Sequence, residues 1–296
     1  MRVHVCGSRG STAAPGREFV RYGGHTSCVA LARDGDPPRL LLDAGTGIRR
    51  VTSLLGGRAF EGTILLTHLH WDHLHGLPFF AAADQDEART HVYLPEQERG
   101  ADDLLEQAMS PPIFPIDASG LRGTWRFESL REGEHTIEGF TVVAREIPHK
   151  GGRTFGYRIS DGDTSVAYLP DHHPAAYGPG PTGAGAEHDA ARVLADGVDL
   201  LIHDAQHTAE EYASQRDFGH TTLEYALGLA RTCGVGRLLA FHHDPGRTDD
   251  DLDTVAARVA HHDPPVLVAA DGQVLDLVPT AAPFTAESQP IEAKHR

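Results

Sequence analysis

The sequence lacks the features of secreted, disulfide-stabilised and membrane-spanning proteins. Cysteine occurs only at Cys6, Cys28 and Cys233, with no Cys-x-x-Cys pair, and this odd count favours a reducing compartment over a disulfide framework. No apolar run approaches the roughly 18 residues of a membrane-spanning helix. The opening MRVHVCGSRG is typical of a strand and a turn, not of a signal segment. We therefore expect a soluble, cytoplasmic protein with no membrane partner.

Positive charge is scarce as well. The 26 Lys and Arg residues are outnumbered by 42 Asp and Glu residues, which gives a net charge of −16 with neutral histidine. A field of this sign repels nucleic acid and anionic membranes unless a local cationic site overrides it. Composition thus argues against a long nucleic acid as a partner, and it leaves open whether the chain forms a homodimer.

What the sequence does contain is a series of short apolar, β-prone runs that end in His or Asp before a turn or a helix start. These runs begin at Arg2, Arg39, Thr63, Phe140, Thr164, Val198 and Arg237. Helical patterns lie between them at 76–83, 100–109, 188–196, 221–233 and 248–261. We predict a layered α/β fold with a mixed pair of sheets, in a single domain over residues 1–279. Residues 280–296 are predicted to form a poorly ordered tail.

A proline-rich segment at 110–123 departs from this pattern. Its sequence, SPPIFPIDASGLRG, combines three prolines with the apolar residues Ile113 and Phe114. Such a composition suits a lid or a wall beside a site better than a core element. We expect this segment to lie near a functional site.

Histidine is abundant, with 20 residues in 296, and several histidines are concentrated in THLHWDHLHG at 67–76. In an extended segment, residues two apart share a side, so His68 and His70 can bind one metal ion. Asp72 and His73, at the turn into a helix, can face a second ion. Four potential ligands within six residues form a metal site far more readily than they fill a core.

Each ion needs further ligands, and the later strand ends provide them. We expect His149 at the first site, His242 at the second, and Asp171 as a bridge between both. Adjacent histidines compete for these assignments, and the sequence does not define the roles of His25, His172, His173 and His243. The expected cofactors are two divalent cations; zinc suits a histidine-rich site, and a mixed histidine and carboxylate site also accepts Mn²⁺ or Fe²⁺.

At these residues the chain resembles the metallo-β-lactamase superfamily, whose HxHxDH signature stands here as His68, His70, Asp72 and His73. The resemblance implies an αββα sandwich, with two mixed sheets flanked by helices and a dinuclear metal site at one edge. Within the superfamily, the chain is most similar to the ribonuclease Z-like and cyclic phosphodiesterase branch. The matching segments are GSRGST at Gly7, RYGGHTSC at Arg21, HLHWDHLHGLPFF at His68, LIHDAQHT at Leu201, FGHTTLEYALGLA at Phe218 and LLAFHHDP at Leu238.

The branch resemblance also implies catalytic residues. An acid and a histidine that help to protonate the leaving group correspond here to Asp204 and His220, with Asp204 standing where ribonuclease Z has glutamate. Asp72, as a ligand in the signature, is expected to be essential for turnover. Asp43, at the end of LLLD, is expected to orient a ligand or a loop.

The predicted function is that of a dinuclear metal-dependent hydrolase that cleaves a small or cyclic phosphodiester. Two bound divalent cations would supply a hydroxide near neutral pH and hold the phosphoryl oxygens. Two alternatives stay open: tRNA 3′-end processing as in ribonuclease Z, and thioester or lactam hydrolysis. The net charge and the lack of a basic, glycine-rich insertion place tRNA processing second.

Overall fold

The computed structural model describes residues 1–181 and 183–278. The predicted tail at 280–296 lies outside the described residues. Among these residues, two seven-stranded sheets face each other. The strands are β1 (Arg2–Gly7), β2 (Cys28–Ala32), β3 (Leu40–Leu42), β4 (Glu61–Leu65), β5 (Arg89–Pro95), β6 (Thr124–Leu130), β7 (Gly133–Ile137), β8 (Phe140–Ile147), β9 (Thr154–Ser160), β10 (Ser165–Leu169), β11 (Leu200–Asp204), β12 (Leu238–Phe241), β13 (Val266–Val268) and β14 (Val274–Asp276).

The first sheet has the order β14-β1-β2-β3-β4-β5-β6, and the second has the order β13-β12-β11-β10-β9-β8-β7. Both sheets are mixed. In the first, β3 to β6 are parallel; in the second, β10 to β13 are parallel. All seven predicted strand runs are strands in the structure, so the expected mixed pair of sheets is confirmed.

Helices cover the outer face of each sheet. They are α1 (Arg49–Leu54), α2 (Trp71–Leu74), α3 (Ala101–Ala108), α4 (Asp189–Ala195), α5 (Ala209–Gln215), α6 (Leu223–Thr232) and α7 (Asp249–Val259). Short 3-10 helices lie at Arg17–Phe19, Thr46–Ile48, Leu77–Phe79, Ala118–Gly120, Pro174–Tyr177 and Arg216–Phe218. Even α7, the longest helix in the described part, has 11 residues and extends only about 16 Å. None of these helices is therefore long and apolar enough to cross a membrane.

Alternation along the strands builds three apolar layers. In β3, Leu40 and Leu42 point into the cluster between the sheets, whereas Leu41 joins the cluster beneath the first set of helices. In β11, Ile202 faces the other sheet and Leu201 packs toward α4 and α6. Strands buried on both faces need apolar residues throughout, which explains their continuous hydrophobic runs.

One predicted helix is wrong. Over 76–83 the chain forms only a 3-10 helix at Leu77–Phe79, and Phe80, which follows it, has a non-helical backbone. Pro78 has no N–H to donate, and φ −82° and ψ 87° at Phe80 end the turn. The other four predicted helices correspond to α3, α4, α6 and α7.

Asp271 fixes two loops at the edge of the first sheet. Its Oδ1 accepts hydrogen bonds from the backbone N and the hydroxyl of Ser8, and its Oδ2 accepts one from the backbone N of His25. Gly23 allows the backbone to approach Asp271 closely, because its φ is +90° and a Cβ there would lie 2.1 Å from Asp271 Cγ. Burial raises the pKa of Asp271 to about 6, although these donors oppose the increase.

The pH dependence of stability tests this contact. Because folding raises the pKa of Asp271 above its ordinary value, the neutral carboxyl is the form that the folded state favours. Its stabilisation is complete below about pH 4 and is lost as the pH rises through 6. We expect the free energy of unfolding of the wild type, minus that of Asp271→Asn, to fall by roughly 2–3 kcal/mol from pH 4 to pH 7. Denaturant titrations in a chelating buffer measure this difference in unfolding free energy at each pH. For the exposed control Asp276→Asn, the difference should not fall between pH 4 and pH 7. A difference that does not change with pH for Asp271→Asn contradicts the prediction.

Candidate metal centre

The segments that follow four strands bring the predicted ligands together. His68 and His70 follow β4, whereas His149, Asp171 and His242 follow β8, β10 and β12. The parallel strands β10, β11 and β12 end at the same edge of their sheet, so their carboxyl ends present side chains to one place. Two groups result, each with ligand atoms within 4.8 Å of one another: His68, His70, His149 and Asp171, and Asp72, His73, Asp171 and His242.

The two oxygens of Asp171 face different groups. Oδ2 lies 3.6 Å from His68 Nε2 and 3.3 Å from His149 Nε2. Oδ1 lies 3.1 Å from His73 Nε2 and 2.9 Å from His242 Nε2. Ligands of a tetrahedral zinc ion are about 3.3 Å apart, given zinc–ligand distances near 2 Å. The arrangement therefore has the spacing that Asp171 needs to bridge two ions.

Hydrogen bonds fix the tautomers of two of these histidines. His73 Nδ1 donates to Asp43 Oδ2 at 2.7 Å, so Nε2 is the nitrogen that offers a lone pair when the ring is neutral. The hydroxyl of Thr67 donates to Asp43, so His68 Nδ1 donates to Thr67 Oγ1 at 3.1 Å and the Nε2 of the neutral His68 ring is unprotonated. Both Nε2 atoms are buried without a hydrogen-bond partner. Buried lone pairs of this kind suit a metal ion.

The same pattern holds for His149. Its Nδ1 donates to the backbone carbonyl of Gly219 at 2.7 Å, and its Nε2 lies 3.3 Å from His70 Nδ1. Two nitrogens at this distance repel unless a proton or a cation lies between them. Burial lowers the pKa of His149 to about 4 and lowers that of His68, so both imidazoles are in the neutral form that binds metals.

The second group behaves differently because it contains more carboxylate. Burial alone lowers the pKa of His242, but the carboxylates of Asp171 and Asp72 outweigh it and raise this pKa to about 10. Asp171, Asp72 and Asp43 likewise raise the pKa of His73 against its burial. Without another cation, these histidines must carry protons to balance the buried negative charge. Bound divalent ions would replace those protons, so the residues present fit a dinuclear metal site.

Asp43 supports the second group from below and is completely buried. Besides His73, it accepts hydrogen bonds from the backbone N of Thr67 at 2.7 Å and from the hydroxyl of Tyr168 at 2.9 Å. Its backbone has φ 59°, a left-handed conformation that aspartate tolerates better than most residues. Its geometry matches the expected orienting role.

Asp204 and His220 form a third group with His242. His220 Nδ1 donates to Asp204 Oδ2 at 3.1 Å, and the ring of His220 lies 4.9 Å from that of His242. Asp204 is completely buried, and its oxygens also accept hydrogen bonds from the backbone N of His172 and Gln206. Asp204 therefore holds one ring nitrogen of His220 beside the predicted ligands.

A cavity of about 620 Å³ opens over these groups. His70, Asp72, His149, Asp171 and His220 line it, whereas the remaining ligand candidates lie beneath. Sequence reasoning missed several other lining residues: Leu69, Trp71, Gln206, His207, Gln215, Phe218, Asp244 and Pro245. All but Gln215 lie within three residues of a predicted site residue along the chain, so proximity to a predicted site residue was the available signal.

The two glycine-rich segments GSRGST and RYGGHTSC place only one of the following three side chains at the cavity. Ser11 lines the cavity, and its backbone N donates to Asp72 Oδ2 at 2.7 Å. Arg9 is completely buried and donates to the carbonyls of Gly23 and Arg247, so its role is to hold loops together. The ring of His25 is within hydrogen-bonding distance of Thr46 and does not line the cavity.

Several histidines lie outside the two ligand groups. His203 Nδ1 donates to the carbonyl of Asp204; His172 Nδ1 in turn donates to His203 Nε2, and His188 Nε2 to His172 Nε2. Burial lowers the pKa of all three imidazoles, so they form a chain of neutral rings behind Asp204. His243 Nε2 donates to the carbonyl of Ala269. The backbone N of His173 donates to Pro148, and its ring is outside both ligand groups.

Comparison with known proteins assigns the family. The chain belongs to the beta-lactamase superfamily: the family described as "Beta-lactamase superfamily domain" matches residues 38–243. With the clustered ligands, this membership identifies a metal-dependent hydrolase whose cofactors are divalent metal ions. Within the superfamily the chain is ribonuclease Z-like. It is 25% identical to ribonuclease Z of Gemmatimonas aurantiaca over 311 residues, which cover 90% of this chain and 94% of that protein.

Solved structures agree on the fold. A diphosphatase from the PhnP family superposes with a TM-score of 0.67 at 18% identity, over 93% of this chain and 97% of that one. The short form of human tRNase Z superposes with a TM-score of 0.64 at 21% identity, over 93% and 99%. The expected αββα architecture is therefore confirmed.

Metal content tests the two groups separately. We expect His73→Ala to reduce the bound divalent metal from about two ions per chain to about one, because one group loses a ligand. Asp171→Ala should reduce it below one, because this residue faces both groups. Elemental analysis after dialysis measures the ratio. His75→Ala, an exposed histidine in the same motif, is the control; equal metal content in all variants contradicts the assignment.

Asp43→Ala tests the support beneath the second group. The change leaves the N–H of His73 and the hydroxyls of Thr67 and Tyr168 without their acceptor, so we expect a loss of about 3 kcal/mol in stability. Metal affinity should fall by roughly 10- to 100-fold. Chelator competition and denaturant unfolding measure the two effects. Tyr168→Phe, which removes one donor only, should cost about 1 kcal/mol; unchanged metal affinity in Asp43→Ala refutes the orienting role.

Proposed function

We propose that the protein is a dinuclear metal-dependent phosphodiesterase that acts on a small or cyclic phosphodiester. The observation that carries this proposal is the Asp204–His220 pair beside the two ligand groups. Hydrolysis of a diester must protonate an alkoxide, a far more basic leaving group than a thiolate. A positioned histidine next to the metals meets that need.

The proposed ligands are His68, His70, His149 and Asp171 for one ion, and Asp72, His73, Asp171 and His242 for the other. Zinc is the metal that their predominantly imidazole donors favour. When bound, two such ions neutralise the phosphoryl oxygens and activate water near neutral pH. Their charge also attracts an anionic substrate to an otherwise acidic protein.

The chain's own residues supply the proton. Because His220 Nδ1 donates to Asp204, the other nitrogen, Nε2, is free to deliver a proton to the leaving oxygen. The buried carboxylate of Asp204 stabilises the imidazolium before that transfer and keeps the ring oriented. The backbone N–H groups of His172 and Gln206 hold the carboxylate in turn. Asp72, held by the Ser11 backbone N, fixes the second ion and is required for turnover.

A second candidate is cleavage of RNA. The relatives named ribonuclease Z favour it, and so does Lys150, an exposed cation next to His149 that lines a smaller cavity beside His68. The neighbouring Arg153 is paired with Glu146 and Glu96, which weakens its attraction for phosphate. The net charge of −16 opposes a long polyanion. We therefore place RNA second.

Hydrolysis of bis(p-nitrophenyl) phosphate by stripped and reconstituted protein tests the reaction class. We expect turnover that requires Zn²⁺ or Mn²⁺ and that Asp72→Ala reduces by at least about 1,000-fold. A chromogenic thioester, a β-lactam and a precursor tRNA are assayed in parallel. Turnover of the thioester or the lactam without diester cleavage refutes the proposal, and efficient cleavage of the tRNA alone selects the second candidate.

His220→Ala tests the proton donor. Both metal ions should stay bound, and the rate should fall by roughly 100-fold or more for a diester with an alkyl leaving group. A nitrophenolate needs little protonation, so its release should slow by less than about tenfold. The control is His207→Ala, since His207 lines the same cavity but belongs to none of the three ligand groups. Equal slowing of both substrates in His220→Ala removes the proposed role.

A further inference from the structure

Trp71 stands between the metal ligands and a second cavity. It lies within the signature, between His70 and Asp72, yet its side chain is 69% exposed. One face of its indole stacks on the ring of His75 at 5.3 Å with an angle of 17°. The indole lines both the metal-site cavity and a neighbouring groove of about 1000 Å³. Trp71 therefore forms a wall that the two spaces share.

The groove is apolar and aromatic. Phe79 and Ile113 are 59% and 75% exposed on its walls, and Phe79 meets Phe114 edge to face at 6.0 Å. Large apolar side chains rarely stay exposed together in a concave surface unless they bind something. Ile113 and Phe114 belong to the proline-rich segment that the sequence placed near a site. Arg49 and Asp84 provide polar groups in the same groove.

Most of the residues that line the metal-site cavity are polar, but Leu69, Trp71, Phe218 and Pro245 give it apolar surface as well. A phosphodiester carries two substituents besides the phosphoryl group, and each must lie somewhere when the phosphate is at the metals. The groove beyond Trp71 is an apolar space that begins beside two proposed ligands.

We propose that this groove binds a planar aromatic ring of the substrate, such as a nucleobase, stacked on Trp71 while its phosphate lies at the metal site. This inference rests on the proposed phosphodiesterase function and narrows its substrate class to aryl or nucleoside phosphodiesters. An indole already stacked on one face presents the other to a ring, and stacking accepts any base because every base has a π face. A second copy of the chain would have to enter a concave groove that shares a wall with the metal-site cavity.

Tryptophan fluorescence tests this contact apart from turnover. The sequence contains two tryptophans, so Trp125→Phe leaves Trp71 as the sole indole. The metal-loaded variant is titrated with adenosine 5′-monophosphate and with ribose 5-phosphate, which has the same phosphate and sugar but no base. We expect the nucleotide to quench Trp71 by more than about half and to bind at least about tenfold tighter than the sugar phosphate.

Inhibition of bis(p-nitrophenyl) phosphate hydrolysis provides the second measurement. Trp71→Ala should raise the inhibition constant of the nucleotide about tenfold and leave that of ribose 5-phosphate within about twofold. Trp71→Phe should restore most of the difference, and Trp125→Ala should change neither constant. This comparison also detects misfolding, because a misfolded variant would lose both ligands.

The outcomes separate the inference from the function on which it rests. Equal binding of both phosphates without quenching, in a protein that still cleaves the diester, overturns the aromatic subsite and leaves the phosphodiesterase standing. Absence of diester cleavage and of phosphate binding overturns both. Protection of Trp71 from acrylamide that increases with protein concentration assigns the groove to a second copy and overturns the subsite.

Discussion

Burial of negative charge is the constraint on which this site depends. Asp43, Asp171 and Asp204 are at most 1% exposed, and Asp72 is 7% exposed. An ionised carboxylate moved into a protein interior costs several kcal/mol unless opposite charge or hydrogen bonds compensate it. Here the compensation comes from histidines, whose raised pKa values show that the pocket demands positive charge. Divalent cations satisfy that demand better than two protons can, because they bring more charge and bind the same atoms.

Both strands and loops position the buried acids and the histidines that compensate them. Parallel strands bring the carboxyl ends of β10, β11 and β12 to one edge, which supplies Asp171, Asp204 and His242 from rigid positions. The chain that follows β4 turns into α2 and thereby brings the rings of His68 and His73 close together. The hydrogen-bond partners of these rings, Thr67 and Asp43, lie beside them. Arg9 and Asp271 hold neighbouring loops by buried contacts with the backbone groups of Arg247 and His25. Positioning through backbone contacts keeps the loops rigid without adding side chains to the cavity.

Candidate ligands that lie close together in the chain, or at the ends of apolar runs, could be proposed from the sequence, and the structure brings them together. Local spacing indicates four of them, namely His68, His70, Asp72 and His73. Position after a β-prone run indicates the other three, namely His149, Asp171 and His242. The two-sheet fold can be predicted from the same runs. The strands β5 and β6 cannot be predicted in this way, because exposed positions interrupt their apolar pattern. The chain of His188, His172 and His203 is also invisible in the sequence. Its members come from separate segments, and only tertiary structure places their nitrogens at hydrogen-bond distance.

Selectivity for a substrate is therefore a question of what surrounds the proposed metal centre. Ribonuclease Z relatives and this chain have a common fold, yet a long RNA must approach through the field of the whole surface. With a net charge of −16, that field repels a polyanion at every phosphate beyond the metals. A small diester has a single phosphate to be repelled, and bound cations would turn that repulsion into attraction at the metal site. Affinity for such a substrate must then come from the remainder of the molecule, and the surface next to Trp71 offers it apolar and aromatic contact. In the proposed function, charge disfavours long substrates, and the groove distinguishes among short ones.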